Sequence, residues 1–280
     1  MIRKQIDTLL LMVAYILLFA ACTPREIQLH AVRLTDDNGT SPIATVTPGH
    51  IETWVTAAND VYDFANYTFL FDPDEDISDV KNTLLNTVPP VGDVQGWEDY
   101  RIAGSFLALW AYPDKGVVYF RGRDGLGFSW GPEGDGATAF VSMPFYTNTA
   151  YVKGAPNNGL LAHELGHYLG LVHTFPEFSC DDCDPCDLVT PANANADVNG
   201  MYATEDDNVG DTNADPRADC APTTSLNCPG GTVVVNGSTF DPPWTNVMSY
   251  HACFPLSVSL DQIKAINRTM EHPWRAPIRR

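Results

Sequence analysis

Three histidines and a glutamate in the segment His163-Glu164-Leu165-Gly166-His167-Tyr168-Leu169-Gly170-Leu171-Val172-His173 have the types and spacing to hold a metal ion and use it. Residues four apart share one helix face, so His163 and His167 can aim two imidazoles at one ion. Glu164, beside the first histidine, can direct its carboxylate at a water next to that ion. Gly170 can take the positive φ that ends a helix and turns the chain, which lets His173 swing back with a third nitrogen. Three protein ligands with a fourth position open are the arrangement of a catalytic zinc, whereas a closed set of four marks a structural one. A bare histidine pair with a glutamate also occurs on solvated helix faces; the added glycine and third histidine separate this segment from such a face.

For two histidines to share a face their segment must be helical. Leu160, Leu161, Leu165, Leu169 and Leu171 supply its packing, and Asn158 suits an N-cap. Downstream lies Asn246-Val247-Met248-Ser249-Tyr250. Met248 alone reads as a flexible core filler and Tyr250 alone as a half-buried aromatic. After the histidine motif they read as a floor beneath the ion and a hydroxyl able to steady an oxyanion.

The long histidine motif followed by Met248 and Tyr250 resembles the metzincin zinc metalloproteases, whose Met-turn carries such a pair. Further positions narrow the likeness: Thr174-Phe175 after the third histidine, Asp207-Asn208-Val209-Gly210-Asp211-Thr212, then Cys220, Cys228 and Cys253, and Gln262 and Met270 near the end. This series, over roughly residues 155–270, resembles the pappalysin-like family in what looks like a bacterial lipoprotein form. The chain departs from the family pattern at Ser249, where an aspartate is usual, at Asp206 in place of glycine and at Asn213 in place of proline. These departures bear on loop geometry and leave the ligands, the glutamate and the tyrosine in place. The resemblance implies His163, His167 and His173 as zinc ligands, Glu164 and Tyr250 as catalytic residues, and Met248 and Gly170 as structural supports. It also implies a structural calcium on Asp207, Asp211, Thr212 and the Val209 carbonyl. It would cross-link Cys220 to Cys253, and Cys228 to one of Cys180, Cys183 and Cys186.

Arg3 and Lys4 precede an unbroken apolar run over residues 9–21, thirteen residues where a membrane-spanning helix needs about 20. Residues 1–21 therefore read as a signal peptide. Ala20-Ala21-Cys22 is similar to a bacterial lipobox, and the alternatives are lipidation of Cys22 or ordinary cleavage with Cys22 incidental. Either puts the mature chain outside the cytoplasm, anchored at the cell envelope or secreted. Beyond Cys22 the six cysteines Cys180, Cys183, Cys186, Cys220, Cys228 and Cys253 suit disulfides in that compartment, and six allow fifteen connectivities. The first three could instead bind a metal as thiolates, which export disfavours. The net charge is −19, and residues 180–219 hold eleven acidic residues against Arg217 alone. That sign disfavours nucleic acid. The acidic run is either a solvated face or a hard-cation site, and calcium suits clustered carboxylates.

Residues 22–45 are polar and read as a lipid-anchored tether, leaving 46–280 as the catalytic domain, with 46–174 its upper and 175–280 its lower subdomain. Within it, residues 48–64 have helical spacing, 67–71 read as a strand, and 106–110 and 116–120 read as neighbouring strands around a turn. Residues 122–136 read as a Gly-rich loop anchored by Phe128 and Trp130, and 137–144 as a strand leading to the metal helix and bordering the substrate cleft. Residues 175–245 are loop-rich, and Ser259 with Gln262 forms a capping box opening a C-terminal helix. His251 reads as a loop histidine.

The expected fold is α+β: a twisted mixed sheet with a backing helix and a zinc helix, above a disulfide-bonded, loop-rich lower part with a C-terminal helix. The expected function is zinc-dependent endopeptidase action on extracellular proteins or peptides. The competing expectation is a catalytically inactive zinc- or calcium-bearing surface binding module. Membrane contact is expected only through a lipid on Cys22. The sequence does not set the oligomeric state.

Overall fold

A computed structural model of the chain describes residues 24–39, 46–90, 92–122, 128–130, 140–144, 158–175, 209–213, 215, 230–235, 238–251 and 253–278. Among these, the main sheet has six strands: β1 (Arg25–Thr35), β2 (Tyr67–Leu70), β3 (Ile77–Lys81), β4 (Gly116–Arg121), β5 (Phe128–Trp130) and β6 (Phe140–Pro144). The order is β2-β1-β4-β6-β5, with β3 pairing the second half of β1 beside β2. All pairings are parallel except β5 with β6, so the sheet is mixed, with an antiparallel edge strand.

Both faces of this sheet are covered, as parallel strands require. On one face Ile27, Leu29, Val118 and Phe120 pack against α1 (Pro48–Tyr62) and the metal helix, which carry Ile51, Val55, Ala58 and Leu165. On the other, Val32, Leu34, Val117 and Tyr119 meet Tyr100 and Ala108 of α3 (Val94–Ala111) and Leu85 of the short α2 (Thr83–Asn86). The metal helix is α4 (Asn158–Tyr168). Beyond it come a hairpin of β7 (Val233–Val235) and β8 (Ser238–Phe240), then α5 (Leu260–Glu271), then a 3-10 turn over Pro273–Ile278. No helix among the described residues is long and apolar enough to cross a membrane.

Three expectations are corrected. Residues 22–45 do not form a tether throughout, because Arg25–Thr35 is an interior strand and the catalytic fold therefore begins before residue 46. Its polar residues Gln28, His30 and Arg33 hid it, and each finds a partner in or just before β3. His30 Nε2 lies 3.1 Å from Ser78 Oγ and its ring stacks on Tyr112 at 4.0 Å. Gln28 reaches Asp76, and Arg33 forks onto Asp79 at 2.6 and 3.0 Å.

Residues 106–110 are not a strand but the last turns of α3. A short apolar run cannot tell strand from buried helix by itself. The helix starts where Asp93 accepts the Gly96 amide at 3.0 Å, and it needs Gly104, since a Cβ there would stand 2.4 Å from the Phe140 ring. Thirdly, residues 128–130, expected within a loop, are β5, so the strand after them is interior and β5 is the edge among the described strands. The helix expected over 48–64, the strand over 67–71 and the capping box at Ser259 are found close to their expected bounds.

Candidate active site

Helix α4 ends in a hydrogen-bonded Schellman turn. The Leu171 amide donates to the Gly166 carbonyl at 2.9 Å and the Gly170 amide to the His167 carbonyl at 2.8 Å. Gly170 has φ of 93°, and a Cβ on it would stand 2.2 Å from Thr269 Oγ1 of α5. Both backbone angle and space therefore demand glycine, and the turn it makes returns the chain to the helix face it has just left.

His173 arrives there with its Nε2 at 3.1 Å from Nε2 of His163 and 3.1 Å from Nε2 of His167. The three residues are the group able to hold a metal among the described residues. Nitrogens bonded to one tetrahedral zinc at about 2.0–2.1 Å stand about 3.3 Å apart, so the spacing fits that ion. The tautomers fit as well. His163 Nδ1 lies 2.6 Å from the Val247 carbonyl and His167 Nδ1 2.8 Å from the Leu171 carbonyl. A carbonyl only accepts, so each Nδ1 carries the proton and each Nε2 turns a lone pair inward. Burial, with His167 and His173 alongside, holds His163 well below the usual histidine range, so its ring stays neutral. The inward lone pairs of His163 and His167 can thus accept from a donor or bind a cation placed between the rings.

Met248 lies directly under the helix. It is fully buried, and a Cβ on Gly166 would meet its Sδ at 2.3 Å. Gly166, one of the unassigned positions in the histidine motif, is thus what admits the methionine. Asn246 Oδ1 accepts the Met248 amide at 2.9 Å, and the Met248 carbonyl accepts the Thr174 amide at 3.2 Å. Asn246 also pairs both ways with the Gln262 amide, at 2.8 and 3.2 Å, which ties this turn to α5.

Tyr250 stands on the solvent side, 47% exposed, its ring edge-on to His173 at 4.9 Å and packed against Phe175 at 4.4 Å. Phe175 in turn stacks on His173 at 4.5 Å. Glu164 is buried beside the ligands, and its Oε2 has no hydrogen-bond partner among the described residues. Burial pushes its carboxyl up to about 8, partly countered by the Arg121 guanidinium. A neighbouring cation would draw it back down.

Asp211, a calcium ligand by the resemblance, lies beside the start of α5. Its Oδ1 accepts the Ser259 hydroxyl at 2.5 Å and its Oδ2 the Asp261 amide at 3.0 Å, so the carboxylate caps the N-terminus of α5. Thr212 is buried, and no acidic cluster forms around the pair among the described residues. Asp207 and Cys180, Cys183, Cys186, Cys220 and Cys228 lie outside the described residues. Cys253 is buried and disulfide-bonded. His251 lies in a turn, as read, but is buried, 4.5 Å from the Trp244 ring and 3.5 Å from Asp215. Neither it nor Asp215 belongs to a recognisable motif.

The sequence profile of the peptidase M43 family (pregnancy-associated plasma protein-A) matches residues 122–271, more than half of the chain. No curated protein matches. Among solved structures, the chain is similar to mature mirolysin of Tannerella forsythia in complex with a cleaved peptide. They are 15% identical with a TM-score of 0.54, over 91% of this chain and 96% of that one. Mirolysin in complex with compound 9 matches with a TM-score of 0.57 at 15% identity, again over 91% and 96%. A promirolysin mutant of Tannerella forsythia also gives 0.57 at 15%, over 91% of this chain and 84% of that one. At such identity the likeness is one of fold. The profile match runs from the end of β4 through the three histidines and the Met248 turn to the last residue of α5, and by it this chain belongs to the peptidase M43 family of metzincin metalloproteases.

Proposed function

We propose that this metalloprotease is a zinc-dependent endopeptidase working outside the cytoplasm, with Glu164 and Tyr250 as its catalytic residues. The observation that carries the zinc reading is the convergence of three Nε2 atoms, with the Nδ1 protons of His163 and His167 committed to carbonyls. Zinc in that nest would supply Lewis acidity, drawing the pKa of water towards ~7 and polarising a carbonyl. Glu164 takes the proton of the attacking water and passes it to the leaving amine. Burial beside Arg121 suits a carboxylate that must hold a proton in one step and release it in the next. The Tyr250 hydroxyl, on a ring fixed by His173 and Phe175, donates to the developing oxyanion, a contact of a kind worth about 3 kcal/mol.

The substrate lies extended along the free edge of β5, adding a strand by main-chain hydrogen bonds. Supporting this, β5 pairs with β6 alone among the described strands and touches the metal helix. Mirolysin has been captured with a cleaved peptide, and a peptide substrate is proposed here too. Export rests on the charged and apolar pattern of residues 1–21, and anchoring on a lipid at Cys22. Since β1 opens at Arg25, such a lipid would hold the sheet close to the membrane, with residues 23 and 24 as the whole spacer. Calcium is not part of the proposal, because the three histidines are the group able to hold a metal among the described residues.

The test is proteolysis of an unbiased peptide library by residues 23–280, with and without a zinc chelator, beside Glu164→Ala. Cleavage that the chelator stops and the variant lacks supports the reading. Cleavage that survives in Glu164→Ala removes Glu164 from its role. Zinc bound without any cleavage would favour a binding module.

A further inference from the structure

Asp215 has had no part in the chemistry so far, yet the two halves of the metal site meet on it. It is fully buried. Its Oδ2 accepts the Thr174 hydroxyl at 2.6 Å and the Ser249 hydroxyl at 2.6 Å. Its Oδ1 faces His251 Nε2 at 3.5 Å. Thr174 follows the third histidine directly, and Ser249 stands between Met248 and Tyr250. One carboxylate therefore links the chain beside His173 to the chain beside Tyr250. The Thr174 amide bond to the Met248 carbonyl is the backbone counterpart of the same link.

A carboxylate buried this deeply is costly unless it is hydrogen-bonded and paired. Burial pushes its carboxyl up, but the contacts with His251, Ser249 and Thr174 outweigh it and hold Asp215 below the usual carboxylate range. It is thus charged, and short hydroxyl bonds to a charged oxygen are about twice as strong as neutral ones. Neither segment it joins has regular secondary structure to fix its position. His163 and His167 take theirs from the helix repeat, whereas His173 and Tyr250 depend on where two loops are held.

We propose that Asp215 is a positioning residue for the metal centre, setting the spacing between the third-ligand loop and the Met248 turn so that His173 meets the other two histidines. This rests on zinc being the ion of the three-histidine site, so the test reads metal binding rather than proteolysis. Zinc affinity is measured by competition with a chromophoric chelator, and geometry by the visible spectrum of the cobalt-substituted protein. Melting temperature is followed in parallel. Four proteins are compared: the parent, Asp215→Asn, Thr174→Val, and Leu34→Ala, which weakens the fold on the far face of the sheet.

Asp215→Asn should bind zinc about 10–100-fold more weakly and alter the cobalt spectrum, the range found for residues that orient ligands from behind. Thr174→Val keeps the side-chain shape and removes one hydroxyl, so it folds even if Asp215→Asn does not; it should lose about tenfold. Leu34→Ala should lower the melting temperature and leave affinity and spectrum unchanged. Thr174→Val and Asp215→Asn behaving as Leu34→Ala does, with melting lowered and zinc held as tightly as in the parent, overturns the proposal; so does parental affinity in Thr174→Val alone. A parent that bound no zinc would instead overturn the metal reading itself, and this role with it.

Discussion

The upper sheet and the lower loops hold the same three histidines by different physics. His163 and His167 ride on α4, whose apolar face is packed with α1 against a sheet covered on both sides. Their spacing comes from the helix repeat, and many buried contacts share the task of keeping it. His173, Met248 and Tyr250 lie on irregular backbone. Met248 is buried in the same apolar core and the Tyr250 ring packs on His173 and Phe175, but their loops are tied by a few polar contacts: Asp215 to Thr174 and Ser249, and Asn246 to Gln262. Arg275, buried below α4, adds another by donating to the Tyr168 carbonyl at 2.5 Å. Apolar packing is spread over many atoms and tolerates small losses in geometry, while a hydrogen-bonded loop depends on a few directed bonds. Damage above should therefore cost stability, and damage below should cost metal geometry and rate.

That contrast can be pressed with substitutions of decreasing expected effect. Glu164→Gln removes the base and leaves all three ligands, so kcat should fall by about 10³-fold with one zinc retained per chain. Metal analysis beside steady-state kinetics checks it, and loss of zinc would show that Glu164 also supports the site. Leu34→Ala opens a cavity in the sheet's far face and should lower unfolding free energy by about 2–5 kcal/mol in denaturant titration. A matching fall in zinc affinity would break the division between the two regions. Tyr250→Phe keeps the ring that packs on His173 and Phe175 and removes the hydroxyl. A loss of about 10²-fold in kcat with KM little changed is expected, and a change in KM alone would assign the hydroxyl to ground-state binding. Ser259→Ala deletes the N-cap of α5 and the Asp211 bond with it, for about 1 kcal/mol by thermal melting.

Legibility in the sequence follows the same division. The histidine helix could be read because its information is local: ligand spacing, leucine packing and a terminal glycine all lie within a few residues. The turn at Gly170 and the capping box at Ser259 are equally local. Strand β1 was hidden because Gln28, His30 and Arg33 look like surface residues until Asp76, Ser78 and Asp79 arrive from a later part of the chain. The end of α3 looked like a strand because Phe106, Leu109 and Trp110 are apolar yet exposed, so the helical period of its buried face was masked. Asp215 and His251 could not be found by pattern, since an aspartate in an acidic run reads as solvated and a lone histidine reads as loop. Asp211 was named through the family resemblance, and its bonds to the start of α5, up to 50 residues further on, could not be read from that likeness.

By itself the sequence determined the chemistry: which nitrogens can share an ion, which carboxylate stands beside it, and where the ligand helix must end. Those properties depend on residue type and on spacing along one short stretch of backbone, and both are written in the chain. The tertiary structure alone decided which of the described strands is the edge, why Gly166 must be small, and that Asp215 joins the two halves of the site. Each of these depends on which distant segments meet, and the meeting is set by the folding of the whole chain around two apolar layers rather than by any segment's own pattern.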